Sequence, residues 1–548
     1  YRYKGLQVKN YFAYKTNEAQ ESPYGNFAEY TKQLPYNEMK DKYGNYKKTL
    51  TYGDFDKANP LYEATLSNFD QSSYREIEDN IGINWIITDG LQIKGTFGVT
   101  QQWNKSEKFI DPLSRHSPNS SSTGTEGDFN LLRGELTRGS GELTTWDLNV
   151  MLMFNRSLNK HHINATLAYN ARGTKQNRET YVYRGFPSGD LCSPAYAESV
   201  YNKPSFGDNL TRMVGVIASA NYDYNNIYLA DLSFRLDASS EFGDKKRSAP
   251  FWAGGIGINI HNYNFLKDNP VLTLLKLRTN YGETGKVNFP AYAASTTYQA
   301  QLDNWYSSGY GVFLMALGNK NLTWEKTKSL DFGVEFELFN GILFVDASWY
   351  KKNTQDLISD VTIPLSSGFS SYKENLGEVE NKGIEINLRS DIYRDKDIAA
   401  SVFANLSRNK GKIKKISNSL KDYNNKVNDY YNSTSTADED LMKPLLKYEE
   451  GQTLTAIWGV QSLGIDPATG QDMLQKRDGS ITYNYSPEDQ IVLGDEEPDA
   501  RGSFGLNLSY KGFSLFTSFM YEFGGQSYNQ TLVSKVENVD LAIYNADK

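Results

Sequence analysis

Apolar and polar residues alternate with a period of two from one end of this chain to the other. Tyr228, Ala230, Leu232, Phe234 and Leu236 share one face, and Asp231, Ser233, Arg235 and Asp237 share the other. Leu330, Phe332, Val334, Phe336 and Leu338 oppose Asp331, Gly333, Glu335 and Glu337. Trp146, Leu148, Val150, Leu152 and Phe154 oppose Asp147, Asn149 and Asn155. Ile384, Ile386 and Leu388 oppose Glu385, Asn387, Arg389 and Asp391, and Ala400, Val402, Ala404 and Leu406 oppose Ser401, Asn405, Ser407 and Asn409. Successive side chains of a strand point to opposite faces, so this period predicts strands with one apolar and one polar side. A soluble sandwich alternates in the same way, but its strands average about five to six residues. The runs here reach about ten or more, the tilted length that crosses a bilayer.

The connections alternate between short and long. Tight turns are predicted at Thr88-Asp89-Gly90, Leu158-Asn159-Lys160, Tyr224-Asn225-Asn226, Asn340-Gly341, Arg394-Asp395-Lys396 and Tyr510-Lys511-Gly512, with a somewhat longer link from Asn262 to Pro270. Asn, Asp and Gly tolerate the positive φ that such hairpins need. Between them run long polar stretches: Gln101 to Thr144, Gly173 to Leu210, Glu283 to Lys326, Lys352 to Glu380, and Lys410 to about Arg501. Short turns at one end and long loops at the other are the habit of an outer-membrane barrel, with the long loops outside the cell. The fold class expected is therefore all-β, a transmembrane antiparallel β-barrel. Seven tight connections imply about fourteen strands, and an opening strand near Tyr3 to Tyr14 makes about fifteen. A closed bacterial barrel has an even number, and an open edge in hydrocarbon leaves backbone donors unsatisfied, so further strands are expected beyond these.

Composition agrees. Among 548 residues only 39% are hydrophobic, while 39 Tyr, 27 Phe and 44 Gly suit a pleated surface with aromatic belts. No stretch approaches the roughly 18 apolar residues of a membrane helix. The single cysteine, Cys192, rules out an internal disulfide framework. The chain opens on Tyr1-Arg2-Tyr3-Lys4 and closes on Tyr544-Asn545-Ala546-Asp547-Lys548, and both ends are read as truncation points.

No catalytic or metal-binding constellation emerges. The four histidines, His116, His161, His162 and His261, are scattered, and His161 and His162 as strand neighbours point to opposite faces. Gly254-Gly255-Ile256-Gly257 and Gly502-Ser503-Phe504-Gly505 lack the Lys-Ser/Thr pair of a phosphate loop and are read as strand glycines. The acidic segment from Asp466 to Asp499 has the composition of calcium ligands without the twelve-residue spacing of an EF-hand. Net charge -8 and the absence of a basic stripe argue against nucleic acid, and the run Lys410-Gly411-Lys412-Ile413-Lys414-Lys415 is read as a solvated loop face. The candidate ligand-binding residues are loop aromatics, Trp305, Tyr306 and Tyr310, with Tyr423, Tyr430 and Tyr431 as further rings. No cofactor is called for.

Arg235-Leu236-Asp237-Ala238-Ser239-Ser240-Glu241-Phe242-Gly243 reads as R-x-D-x-S-S-x-F-G, and Phe251, Gly254, Gly257 and Leu275 to Gly285 follow it. In this order the segments resemble the SusC/RagA family of TonB-dependent outer-membrane transporters of Bacteroidetes. Leu322-Thr323-Trp324-Glu325-Lys326, Tyr350 to Leu357 and Asn375 to Glu385 match three further elements. Glu450-Gly451, Gly464-Ile465-Asp466, Leu493-Gly494-Asp495 and Pro498 match an external segment. The resemblance implies a barrel of 22 strands and a plug domain, TonB box, signal peptide and last strands that this sequence does not contain. It also implies import of a glycan or peptide oligomer, coupling to TonB, and a SusD-like surface lipoprotein as partner. A passive porin or an adhesin barrel would show the same alternation without the ordered segments. On either reading Leu232, Phe234, Val334, Phe336, Ile386, Leu388 and Val402 are expected to face lipid, and Asp231, Arg235, Glu335 and Asn405 the lumen.

Overall fold

The computed structural model describes residues 5–22, 37–52, 55–117, 133–243, 246–267, 269–287, 292–307, 309–362, 371–375, 377–416 and 447–529, with a few single positions besides. Its main body is one antiparallel sheet. Fifteen long strands run through it in chain order: β1 (Leu6–Gln20), β2 (Phe69–Thr88), β3 (Leu91–Ile110), β4 (Glu135–Leu158), β5 (His161–Arg184), β6 (Ser205–Tyr224), β7 (Tyr228–Ser239) and β8 (Ser248–Asn259), then β9 (Leu272–Lys286), β10 (Glu325–Leu338), β11 (Leu343–Gln355), β12 (Glu378–Arg394), β13 (Ile398–Lys415), β14 (Ala500–Tyr510) and β15 (Phe513–Phe523). Each pairs with the next, and short arms at Arg2–Tyr3 and Ser199–Val200 add to β1 and β5. Among the described residues no ladder joins β15 to β1.

All seven tight connections fall at one end of the strands, and their positive-φ residues are those the turns require: Asn159, Asn225, Asn226, Asn340, Gly90, Gly341 and Gly512 among them. The other end differs from expectation. β4 and β5 are each 24 residues long, so the predicted loops Gln101–Thr144 and Gly173–Leu210 are in good part strand. Above the membrane both faces meet water, so the alternation fades while the backbone ladder continues. The loops also carry local structure, including hairpins at Thr297–Tyr306 with Gly309–Ala316 and Ile358–Thr362 with Ser371–Asn375.

The two faces are inverted relative to a soluble protein. Leu232 is 60% exposed and Phe234 47%, while Asp237 beside them is 5% exposed. Register carries the apolar face around the sheet: Ile258, Leu277, Val334, Ala347, Ile386 and Leu406 are successive lateral neighbours. So are Leu275, Phe336, Val345, Leu388, Ala404 and Phe504, with Val402 opposite Leu506 in the next row. Exposed apolar area on this scale marks a surface that meets lipid. Rings collect at both of its borders. Near the short turns Tyr224 and Tyr228 stack, and the Tyr263 hydroxyl donates to that of Tyr228 at 2.8 Å. Toward the long loops Trp252 packs on Tyr281 and Phe332 on Trp349. These are the two aromatic girdles of a membrane barrel.

Candidate functional site

The polar face is built in rows. Asn155, Asn164, Asn221, Asp231, Gly255, Asn280, Asp331, Tyr350, Gly383 and Asn409 follow one another laterally across β4 to β13. Alternation sets which residues point inward, but only pairing register lines amide against carboxylate in one band. Gly255 makes the band continuous: a Cβ there would lie 1.9 Å from Asn280 Oδ1 and 2.5 Å from Asp231 Oδ1. Without a side chain of its own, it lets the neighbours' side chains lie flat across the wall. Nearer the short turns Lys276 and Arg278 contact Glu335 at 3.1 and 3.5 Å, and Arg278 reaches Asp346 at 3.0 Å. Toward the loops the Arg235 Nε donates to both Asp237 oxygens at 2.5 and 2.6 Å, and Asn405 donates to Ser503 at 2.7 Å. The residues expected to face the lumen therefore share one hydrogen-bonding surface. It offers fixed donors and acceptors to a polar solute.

At the external end this face changes character. Phe242, Ala249, Phe251, Phe289, Ala294, Leu322 and Trp324 form a buried apolar cluster, with Leu322 at 0% and Trp324 at 1% exposure. The Phe242 and Trp324 rings lie 4.8 Å apart, and Phe251 meets Trp324 edge-on at 5.6 Å. Polar clamps hold it. Asn375 Oδ1 accepts from Thr323 N at 2.9 Å, its Nδ2 donates to the Thr323 and Asp356 carbonyls at 2.8 Å, and Glu325 accepts from Ile358 N at 2.9 Å. The clasp thus ties the loops after β7, β9 and β11 to one another. Sequence reading picked out Phe242, Phe251, Leu322, Trp324 and Asn375 as ordered resemblances but missed that they meet. The available signal was the presence of large apolar residues inside otherwise polar loops.

The candidate ligand residues sit in the hairpin at Thr297–Tyr306 with Gly309–Ala316, where Trp305 stands opposite Tyr310 and Tyr306 opposite Gly309. Their backbone is described and their side chains are not. Tyr423, Tyr430 and Tyr431 lie outside the described residues. His161 Nδ1 faces the Tyr222 hydroxyl at 2.7 Å and His162 Nδ1 faces Ser157 Oγ at 2.8 Å, so the pair does not converge. The acidic loop residues act as turn caps. Asp466 accepts from the backbone of Ala468 at 2.9 Å, from Thr469 and from the Tyr483 hydroxyl, and Asp478 accepts from Ser480. The Ala468 amide, followed by the two hydroxyls, holds the Asp466 carboxyl below the usual carboxylate range. Among the described residues no group of three His, Cys, Asp or Glu is placed to hold a metal.

A model of the "TonB dependent receptor-like, beta-barrel" family matches residues 6–519. The chain belongs to that family. The sheet is accordingly the wall of a TonB-dependent receptor barrel, and its place is the outer membrane. TonB-dependent receptor P3 of Formosa agariphila is 27% identical over 510 residues, covering 89% of this chain and 48% of its own length. TonB-dependent receptor SusC of Bacteroides thetaiotaomicron is 32% identical over 215 residues, 37% of this chain and 21% of its own. The structure of the RagAB peptide transporter superposes with a TM-score of 0.77 at 22% identity, covering 95% of this chain and 56% of that one. The chain spans about half the length of the curated relatives it matches over most of its own length.

Proposed function

We propose that this receptor barrel is the wall of an importer that carries a nutrient oligomer, a glycan or a peptide, across the outer membrane under the drive of TonB. The observation that carries this reading is the continuous inward band from Asn155 to Asn409, a girdle of mostly amides and carboxylates around the inner side of a wall whose other side faces lipid. Among the described residues no strand pairs with the outer edge of β15 and only the Arg2–Tyr3 arm lies on that of β1, and unpaired backbone in hydrocarbon costs several kcal/mol per group. Further strands, toward the 22 expected of the family, supply the partners in this reading, and a plug domain fills the lumen. The clasped loops form a platform for a SusD-like surface lipoprotein, and Trp305, Tyr306 and Tyr310 offer ring faces and polar edges to the cargo. RagAB is a peptide transporter, which favours a peptide as the first cargo to test.

Uptake of labelled oligopeptides and oligosaccharides by cells carrying the intact protein tests this. An importer of this kind stops when an uncoupler collapses the inner-membrane proton gradient, whereas uptake that persists identifies a passive porin. Co-purification from outer membranes with mass spectrometry identifies the lipoprotein, and its absence from every preparation removes that partner. Replacing Trp305, Tyr306 and Tyr310 by Ala lowers cargo affinity by about 1–3 kcal/mol if the rings touch it, and unchanged affinity removes them from the site.

A further inference from the structure

The lipid-facing surface ends, toward the long loops, in a line of cations on three adjacent strands. Lys351 on β11 stands directly opposite Lys382 on β12, and Lys382 opposite Lys410 on β13. All three point to the lipid side, since Trp349, Ile384 and Leu406 share their faces two or four positions nearer the membrane. Strands lie about 4.8 Å apart, and like charges placed directly opposite destabilise a sheet. Arg408, Lys412 and Lys414 extend the line along β13, and all are exposed.

Against these six cations the same face of the three strands offers two carboxylates, Glu378 and Glu380. Glu380 binds Lys382 at 3.0 Å, Lys351 at 3.1 Å and Lys414 at 3.6 Å, while Glu378 accepts from Asn353. Asp495, past the edge of β13, lies in the field of Lys410. The outward cations of β3 and β4 are arranged differently: Lys105 and Arg138 both reach Glu107, at 3.2 and 2.8 Å. A chain of net charge -8 does not concentrate lysines on three of its fifteen long strands by composition alone.

The height of the line indicates what it meets. It lies one residue pair above the apolar run Phe332–Trp349–Ile384, which Arg408 continues on β13. That is the level of the external headgroups. Beside it the outer wall has a shallow apolar depression lined by Ile256, Ile258, Leu277 and Phe332. The Phe332 ring packs against Trp349 at 5.8 Å, so the depression and the cations belong to one surface.

We propose that Lys351, Lys382 and Lys410 bind the phosphate-bearing headgroup of an anionic lipid of the external leaflet, whose acyl chain occupies the depression. The phosphate supplies the counter-charge that the sheet lacks, and lipid is held against one side of the barrel.

The test uses the intact protein purified from outer membranes into phosphatidylcholine nanodiscs, with phosphatidic acid as the phosphate-bearing probe. Lipid retention is read by native mass spectrometry. The wild type retains phosphatidic acid and loses it as salt rises. The triple variant Lys351→Gln/Lys382→Gln/Lys410→Gln retains it on the order of a hundredfold less, at about fivefold per charge. Lys105→Gln/Arg138→Gln leaves retention unchanged. Lys410→Gln alone, in phosphatidylcholine only, is at least as resistant to heat as the wild type, because it relieves the repulsion with Lys382 and leaves the Glu380 ion pairs in place; this outcome is measurable even if the triple variant folds poorly. Equal retention by wild type and triple variant overturns the proposal. So does destabilisation by Lys410→Gln in neutral lipid, or full displacement of phosphatidic acid by inorganic phosphate at equal concentration, which would reduce the site to a general anion patch.

Discussion

Moving one arginine by one position gives two opposite outcomes in this wall. Leu232 lies midway along the apolar face of β7, between Tyr228 and Leu236, and is 60% exposed. Its lateral neighbours are Ala220 on β6 and Gly254 on β8, both too small to shield a charge from acyl chains. Arginine at mid-depth on a lipid face costs about 2–4 kcal/mol, roughly 30- to 700-fold in the folding equilibrium. Ser233, the next residue, points into the lumen between Ser219 and Ala253, where arginine keeps its water and costs within about 0.5 kcal/mol. Urea unfolding of the intact protein in phosphatidylcholine vesicles, followed by tryptophan fluorescence and protease protection, reads both. Leu232→Arg is expected to lower the midpoint strongly and Ser233→Arg to leave it in place. Equal costs, or a costly Ser233→Arg beside a harmless Leu232→Arg, would refute the assignment of faces and with it the membrane reading of the alternation.

Gly255→Ala forces Asn280 and Asp231 apart and is expected to cost about 1–3 kcal/mol in the same unfolding assay, whereas Gly95→Ala, with nothing within 4 Å of its added Cβ, is close to neutral. Trp324→Ala opens the clasp at a local cost of about 3–5 kcal/mol. Limited proteolysis should then cut the loops after β7 and β9 while the strands stay protected. Trp324→Phe keeps a ring and removes an indole N–H that finds no partner among the described residues, so it costs much less. Asp466 has a lowered carboxyl pKa, so its hydrogen bonds contribute fully above the ordinary Asp value of about 3.9 and are lost as pH falls through the lower folded value. The protection factor of the Ala468 amide, taken relative to the intrinsic rate at each pH, should therefore be unchanged between neutral pH and about pH 5 and should fall only in stronger acid.

What the chain alone determined is the character of each face. Side chains alternate with a period of two in any strand, so Leu232, Phe234 and Asp237 reveal inside and outside without a structure. The turns were legible for a similar local reason, since Asn159, Asn225 and Gly512 adopt a positive φ that few other residues accept. Strand length was legible only within the membrane. Beyond it lipid no longer imposes alternation, and the upper parts of β4 and β5 read as loop. Nothing in the sequence placed Asn280 against Asp231 over Gly255, brought Phe242 to Trp324, or set Lys351 beside Lys382 and Lys410. Those meetings depend on the register of successive ladders and on loops that close across several strands. Such long-range pairings are decided by the summed fit of whole strands, so they exist only in the tertiary structure.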